Sequence, residues 1–224
     1  MKKCVYYAIM GEYDNLKNPK FITPGWDYLC FTNNRELKSD IFEMIYIDDK
    51  LGDAKLSRKV KINFHKYVKN YDLSIYIDGN IQVVGNLDKF LKDTDIEDDE
   101  IDFVLAKHPY RKCIYKEAIA CDIGKKDSPE VMQEQIAKYR KEGYPKKNGL
   151  VACSILIRKH GRSHLEKHCE LWWNEVERHS VRDQLSFNYI LWKYSLIKIK
   201  RFSYKIFNGA GGGYFKKYKH NKKV

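Results

Sequence analysis

The apolar positions of this chain fall into short runs separated by polar stretches. Runs rich in β-branched and aromatic residues occupy residues 3–10, 27–32, 42–47, 73–77, 103–106 and 149–157. Their length is that of strands rather than of helices. Residues 73–77 are apolar almost without interruption, which is typical of a strand covered on both faces. The pattern therefore predicts the strands of a sheet, with residues 73–77 at its centre.

A second, helical pattern lies between the strands. Within residues 53–67, apolar side chains recur at spacings of four, four and three and so share one helix face. Further helices are predicted at residues 86–92, 112–122, 129–142, 163–178 and 183–193. Strand–helix alternation across the first half predicts an α/β fold with one sheet, and the second half supplies more helices than strands.

The length and composition are those of a globular protein. The chain has 224 residues, of which 43% are hydrophobic, and this is enough for one large domain. No apolar run approaches the ~20 residues of a membrane span. The N-terminus begins a strand at once, so we expect a cytoplasmic protein or a soluble domain of a larger protein. Six cysteines without a CxxC pair predict buried free thiols.

The net charge of +12 favours an anionic partner, although a solvated surface explains most of it. No nucleic-acid-binding motif is present, so we expect no nucleic-acid partner. On the predicted helix 53–67, basic side chains precede the central strand and could reach a phosphate. The alternative is a solvated face, which we favour for Lys55 and Lys61 but less for Arg58 and Lys59.

The central strand ends abruptly at Asp78-Gly79-Asn80. In open α/β sheets, ligands bind at the carboxyl ends of the strands. Two oxygen-bearing side chains flank a glycine here, so both could bind one hard cation such as Mn²⁺ or Mg²⁺, and that cation could hold a diphosphate. The alternative is a plain turn after a strand, because Asp-Gly and Gly-Asn are common turn dipeptides.

Two other loops carry candidate chemistry. The first strand is followed by a loop in which Tyr13 could stack on a nucleotide base or simply lie on the surface. Later, Ser180 is a good N-cap for the helix 183–193, with Asp183 three residues on. A capping box is therefore the structural alternative to a functional role for Asp183.

Several motifs appear in a fixed order, and together they resemble a glycosyltransferase-like family first catalogued as a domain of unknown function. That family includes plant Golgi polysaccharide proteins and bacterial and viral homologues, and the likeness covers about residues 4–193. The motifs are Ala8-Ile9-Met10-Gly11-Glu12-Tyr13-Asp14, Asp27-Tyr28-Leu29-Cys30-Phe31-Thr32-Asn33, Ile77-Asp78-Gly79-Asn80, His108-Pro109-Tyr110-Arg111-Lys112-Cys113-Ile114-Tyr115-Lys116-Glu117 and Ser180-Val181-Arg182-Asp183-Gln184-Leu185-Ser186-Phe187.

The resemblance implies a GT-A fold, a single mixed sheet flanked by helices, similar to family 8 glycosyltransferases. It implies that Asp78 and Asn80, in place of a DxD motif, bind Mn²⁺ or Mg²⁺ with His220. Asn80 stands where a DxD motif has its second aspartate, and its neutral amide lowers the negative charge of such a site. It also implies catalytic roles for Arg182, Asp183 and Gln184, whereas His108 and Arg111 could line the acceptor side or be structural. The implied nucleotide site comprises Ala8, Ile9, Gly11, Tyr13, Arg58, Lys59, Asp78 and Gly79.

The sequence thus predicts one domain over residues 1–224. Its nucleotide-binding half spans about 1–107, its acceptor-side half about 108–204, and a flexible basic tail with a glycine run at 208–213 follows at 205–224. The predicted activity is metal-dependent transfer of a hexose or deoxyhexose from a UDP-sugar to a glycan acceptor, with retention. Two alternatives stay open: a hydrolase in which a metal and Asp183 activate water, and a non-catalytic module that binds glycan or nucleic acid.

Overall fold

The chain folds into nine strands and seven helices within residues 1–204 and 213–221, which a computed structural model describes. The strands are β1 Lys3–Ala8, β2 Trp26–Thr32, β3 Glu43–Tyr46, β4 Leu73–Ile77, β5 Ile81–Val83, β6 Phe103–Lys107, β7 Val151–Lys159, β8 Ile199–Phe202 and β9 Phe215–Lys217. The helices are α1 Asp53–Ile62, α2 Phe64–Tyr67, α3 Leu87–Lys92, α4 Ile114–Ile123, α5 Pro129–Lys141, α6 Ser163–Arg178 and α7 Asp183–Tyr194.

Seven of the strands form one mixed sheet in the order β3-β2-β1-β4-β7-β6-β8. Strands β3, β2, β1 and β4 run parallel, and Tyr6 of β1 lies opposite Tyr76 of β4. Strand β7 is antiparallel to both of its neighbours, and β8 pairs parallel with β6. The prediction of a single mixed α/β sheet flanked by helices is therefore confirmed.

The sheet is covered on both faces, as the continuous apolar character of β4 predicted. All five residues of β4 are buried. Tyr6 and Tyr76 pack into the core on one face, together with apolar side chains of α1, α6 and α7. Ile75 and Ile77 point to the opposite face, where α3 and β9 complete a second core. Burial on both faces fixes the register of the strands and the positions of the loops that follow them.

The helix predicted over residues 53–67 is divided at Asn63, which separates α1 from α2. The backbone there leaves the helical region, with φ −85° and ψ 49°. The guanidinium of the fully buried Arg158 donates hydrogen bonds to the carbonyls of Lys61 (2.8 Å) and Ile62 (3.2 Å). These carbonyls have hydrogen-bond partners without a continuing helix, so α1 can end at this point.

The C-terminal segment contains a strand where the sequence predicted only a flexible tail. Strand β9 pairs antiparallel with β5, and Phe215 is buried against Phe90 with ring centroids 4.8 Å apart. This pairing brings the residues after β9 back to the loop that follows β4. Residues 205–212, which include the predicted glycine run at 208–213 except Gly213, lie outside the described residues.

Two further observations concern composition. All six cysteines are buried and unbonded, which confirms the predicted free thiols. Among the helices of the described part of the chain, none combines the length and the apolar character that crossing a bilayer requires.

Candidate functional site

A cleft of about 530 Å³ opens at the carboxyl ends of β1 and β4. Because these two strands are parallel neighbours, the loop after Ala8 and the loop after Ile77 meet at the same edge of the sheet. The first turn of α7 and one face of α1 form further walls. Most of the predicted site residues line the cleft: Ala8, Ile9, Tyr13, Arg58, Asp78, Gly79, Arg182, Asp183, Gln184 and His220.

At the base of the cleft, one lysine bridges the two carboxylates that the sequence singled out. The Nζ atom of Lys61 lies 3.0 Å from Oδ1 of Asp78 and 2.5 Å from Oδ2 of Asp183. The side chains of Lys61 and Asp183 are only 2% and 5% exposed. The expectation that Lys61 lies on a solvated face is therefore wrong. Strand β4 and helix α7 deliver one carboxylate each, and α1 supplies the cation between them.

The cations decide the ionisation of Asp183. Burial of this carboxyl raises its pKa, but the charges of Lys61 and Arg58 act in the opposite direction. The net result is a pKa of Asp183 below its ordinary value, so the group is ionised at neutral pH. The Nε atom of Arg58 lies 3.7 Å from Oδ2 of Asp183 and forms no hydrogen bond within the described structure. The Arg58 guanidinium therefore retains donor capacity towards a bound anion.

Arg58 and Lys59 are neighbours in α1 but point in different directions. Arg58 lines the cleft, whereas Nζ of Lys59 pairs with Oδ2 of Asp49 at 2.6 Å, and Lys59 is not among the residues that line the cleft. The helical rotation of about 100° per residue accounts for the difference. The structure thus places Lys59 outside the predicted nucleotide site.

Gly79 and Asn80 have distinct positions behind Asp78. A Cβ atom on Gly79 would lie 3.0 Å from Asp14 and 3.1 Å from Ile9, so the two loops approach closely where the chain has a glycine. Asn80 is buried and is not part of the cleft lining. Its Nδ2 donates to the carbonyl of Tyr218 at 2.8 Å, which ties the loop to the C-terminal segment.

In the loop after β1, Gly11 and Tyr13 have different roles. Gly11 adopts a positive φ of 55°, and its amide donates to Oδ1 of Asn33 at 2.7 Å. A Cβ there would collide with Asp53, so Gly11 shapes the loop behind the cleft without lining it. Tyr13 lines the cleft, and its ring lies 4.9 Å from that of His220.

The donor atoms around Asp78 are of the kind that Mn²⁺ and Mg²⁺ accept. Oδ1 of Asn80 and Oδ1 of Asp14 are both buried and lack a hydrogen-bond partner within the described residues. Hard oxygen atoms left without partners fit a divalent cation, and an imidazole such as His220 suits Mn²⁺. No three His, Cys, Asp or Glu side chains cluster as a metal centre in residues 1–204 and 213–221. The side chains that could hold a cation here are those of Asp78, Asn80 and His220.

Helix α7 begins at Asp183 itself, so the capping box considered for this residue is wrong. The Ser180 hydroxyl donates to Oδ2 of Asp127 at 2.6 Å, and the Asp183 side chain faces Lys61. The carboxylate is therefore directed into the cleft rather than used to cap its own helix. Arg182 and Gln184 flank it and also line the cleft.

The cleft lining between His108 and Glu117 holds a second charged cluster. Glu117 is 4% exposed and accepts a hydrogen bond from Nε of Arg111, and Nε2 of His108 lies 3.5 Å from its Oε2. Nδ1 of His108 accepts the backbone N–H of Arg111 at 3.0 Å. Burial lowers the pKa of His108, against the pull of Glu117. His108 and Arg111 thus line the cleft and also hold its wall together, while Tyr110 stands 84% exposed at the rim.

Lys61 is a central residue of the cleft, although its position in the sequence predicted a solvated face. Five residues of α1 line the cleft: Asp53 at its start, and then Ala54, Ser57, Arg58 and Lys61, which recur at helical spacing. Two small residues followed by two basic ones along one stripe form a recognisable pattern, because residues three and four apart share a helix face. Asp14 and Glu117 also line the cleft, and both belong to the motifs given above. The sequence assigned no function to them, because neither is adjacent to the residue that it contacts.

Comparisons with known proteins identify the family of the chain. The model of the TOD1/MUCI70 glycosyltransferase-like domain family matches residues 32–212. The match covers most of the chain, and the protein therefore belongs to this family of glycosyltransferase-like domains, which confirms the predicted resemblance. No protein with a curated description matches the sequence significantly.

Among solved structures, the chain is similar to mouse xyloside xylosyltransferase 1 in its apo form. The TM-score is 0.54 at 9% sequence identity, and the alignment covers 98% of both chains. At this identity the likeness establishes the fold, which is that of a glycosyltransferase along nearly the whole chain. The predicted glycosyltransferase fold is thereby confirmed.

Proposed function

We propose that this protein transfers a hexosyl or deoxyhexosyl group from a nucleotide diphosphate sugar, uridine-linked, to a glycan acceptor. The reaction proceeds with retention at the anomeric carbon and uses Mn²⁺ or Mg²⁺. The observation that carries the proposal is the meeting of Asp78 and Asp183 on the single ammonium of Lys61 in one cleft. Membership in the glycosyltransferase-like family supports the reaction class.

The cleft offers complementary charges for such a donor. Arg58 has donor capacity that the protein does not use, and it lies beside the loop that carries Asp78. When bound, the divalent cation supplies charge neutralisation for the leaving diphosphate. Arg58 adds to that stabilisation, because a fixed guanidinium in a partly desolvated site costs no reorganisation as negative charge develops.

Asp183 acts on the sugar side of the reaction. Its carboxylate is ionised, oriented by Lys61 and nearly excluded from water. A carboxylate in this position stabilises the positive charge that develops at the anomeric carbon in an oxocarbenium-like transition state. Gln184 and Arg182, on either side of it, hydrogen-bond the sugar hydroxyls. The cluster of His108, Arg111 and Glu117 forms the acceptor side, with the exposed Tyr110 as a surface on which an acceptor sugar can stack.

The first experiment is calorimetric titration of UDP-sugars with and without Mn²⁺, followed by product analysis with glycan acceptors. We expect donor binding that Mn²⁺ strengthens, and a new glycosidic product. Asp183→Asn should bind donor with similar affinity and lose about 100-fold or more in turnover, because the charge that stabilises the transition state is gone.

Product analysis separates the proposal from its alternatives. A hydrolase releases free sugar at an undiminished rate when acceptor is omitted. A non-catalytic module binds without metal dependence and forms no glycosidic product. Either result, or the absence of any UDP-sugar binding, contradicts the proposed function.

A further inference from the structure

Asp14 is a buried acid that the proposed reaction does not use. It lies in the loop after β1, is 5% exposed and lines the cleft. Its side chain packs directly behind Gly79, since a Cβ there would approach Oδ2 of Asp14 to 3.0 Å. The carboxylate of Asp14 thus lies against the loop that carries Asp78 and Asn80. A buried carboxylate in such a place requires compensation or a ligand.

Oδ2 of Asp14 contacts a residue 206 positions further along the chain. The contact joins it to Nδ1 of His220 at 2.9 Å. A carboxylate oxygen accepts in this contact, so Nδ1 of His220 is the donor. Nε2 is then the ring nitrogen left for another ligand, on a ring that lines the cleft. Histidines that ligate metals commonly donate their second ring N–H to a carboxylate in this way.

The backbone near His220 is hydrogen-bonded to Asn80, which lies in the loop after β4. The amide of Tyr218 donates to the carbonyl of Asn80 at 2.8 Å, and Nδ2 of Asn80 donates back to the carbonyl of Tyr218 at 2.8 Å. This reciprocal pair fixes the Asn80 amide and leaves its Oδ1 as the available atom. Oδ1 of Asn80 and Oδ1 of Asp14 are both buried without hydrogen-bond partners within the described chain.

We infer that Asp14 is a positioning residue for the divalent cation of the proposed reaction. It holds His220 in the Nδ1–H form, so that Nε2 can ligate a cation beside Asp78 and Asn80. The cation site is then assembled from three separate segments: the loop after β1, the loop after β4 and the residues that follow β9. This inference rests on the proposed function, because it concerns the metal that the function uses.

The test is a double-mutant cycle on Mn²⁺ affinity, measured by electron paramagnetic resonance of free Mn²⁺ with UDP present. We expect Asp14→Asn to weaken Mn²⁺ binding by about tenfold or more, and His220→Gln to weaken it at least as much. The double variant should bind Mn²⁺ no more weakly than His220→Gln alone, because Asp14 acts through His220. Nitrogen modulation of the bound Mn²⁺ signal should be present in the wild type and lost in His220→Gln.

A matched control lies elsewhere in the fold. His164 also pairs with a buried carboxylate, with Nε2 2.8 Å from Oδ1 of Asp102, but neither residue lines the cleft. His164→Gln should leave Mn²⁺ affinity unchanged. Asp14→Ser, which removes the carboxylate without added bulk, replaces Asp14→Asn if the latter does not fold.

Three results would overturn the inference: wild-type Mn²⁺ affinity in the Asp14 variants, additive losses in the double variant, or no nitrogen ligand in the wild type. Measuring UDP-sugar binding in the presence of a chelator distinguishes a wrong role for Asp14 from a wrong proposed function. A wild type that binds and turns over UDP-sugar, but binds no Mn²⁺ through His220, refutes only the role of Asp14. A wild type that neither binds nor turns over the donor refutes the proposed function.

Discussion

Lys61 sets the charge balance of the cleft. Its ammonium is shared by Asp78 and Asp183 and is almost completely buried. Two carboxylates this close to one another would otherwise repel and favour protonation. A neighbouring cation offsets this repulsion, and the pKa of Asp183 lies below its ordinary value. The same contacts make Lys61 a structural tie between α1, the end of β4 and the start of α7.

Removing this tie should cost stability as well as activity. We expect Lys61→Met to lower the free energy of unfolding by about 3 kcal/mol, because it leaves the buried Asp183 carboxylate without its closest cation. Adding Asp183→Asn should recover most of that loss without restoring turnover. Chemical denaturation of the three proteins measures the effect. A Lys61→Met protein as stable as the wild type would show that the bridge is unimportant.

Arg58 and Lys59 form a matched pair for testing the nucleotide site. We expect Arg58→Met to lower kcat/KM for the donor by about 100-fold, since it removes a fixed cation from the leaving group. Lys59→Met should leave kcat/KM unchanged and cost at most about 1 kcal/mol, because it breaks only a surface ion pair with Asp49. Equal kinetic losses in the two variants would contradict the placement of these residues.

At the scale of elements, the periodicity of the sequence located most helices and strands, but not where they end. Helix α1 stops at Ile62 because Arg158, far along the chain, occupies its last carbonyls. Strand β9 forms because Phe215 finds a buried site against Phe90. Both outcomes depend on tertiary contacts between distant residues, which no local pattern encodes.

Helix α6 carries a histidine that should make stability depend on pH. His168 is completely buried, and burial lowers its pKa to about 4 against a weaker opposing effect of Asp102. The unfolded chain, with an ordinary pKa of about 6.5, binds a proton that the folded chain does not. Stability from this residue is therefore fully present above about pH 6.5 and is lost as the pH falls towards 4.

The measurement is the free energy of unfolding as a function of pH for wild type and His168→Leu. The wild type should lose up to about 1.4 kcal/mol per pH unit from this group between pH 6 and 4. His168→Leu should reduce the slope without abolishing it, since His160, whose pKa burial lowers to about 3, still contributes. An unchanged slope in His168→Leu would contradict the assignment.

For the whole molecule, the sequence predicted the α/β class and most of the cleft. The acid–glycine–amide loop and Asp183 could be identified because each belongs to an ordered motif. Lys61 could not be separated from its solvated neighbours, because its burial depends on β4 and α7 meeting around it. The pairing of Asp14 with His220 was equally hidden, since it joins the two ends of the chain.

The net charge of +12 makes a prediction that involves the whole surface. We expect binding to a polyanion such as heparin to weaken steeply with salt, because scattered lysines act through counterion release. UDP-sugar binding should weaken much less between the same salt concentrations, since Lys61 and Asp183 at the base of the cleft are buried. If UDP-sugar affinity fell with salt as steeply as heparin affinity, the nucleotide would bind the general surface instead of the cleft.

The central claim is that Asp78 and Asp183 face one bound donor. The most direct test is a crystal structure of the protein soaked with Mn²⁺ and a non-hydrolysable UDP-sugar. The account predicts the diphosphate beside Asp78 and Arg58, and the anomeric carbon next to the Asp183 carboxylate. A nucleotide bound outside this cleft, or a sugar turned away from Asp183, would contradict it.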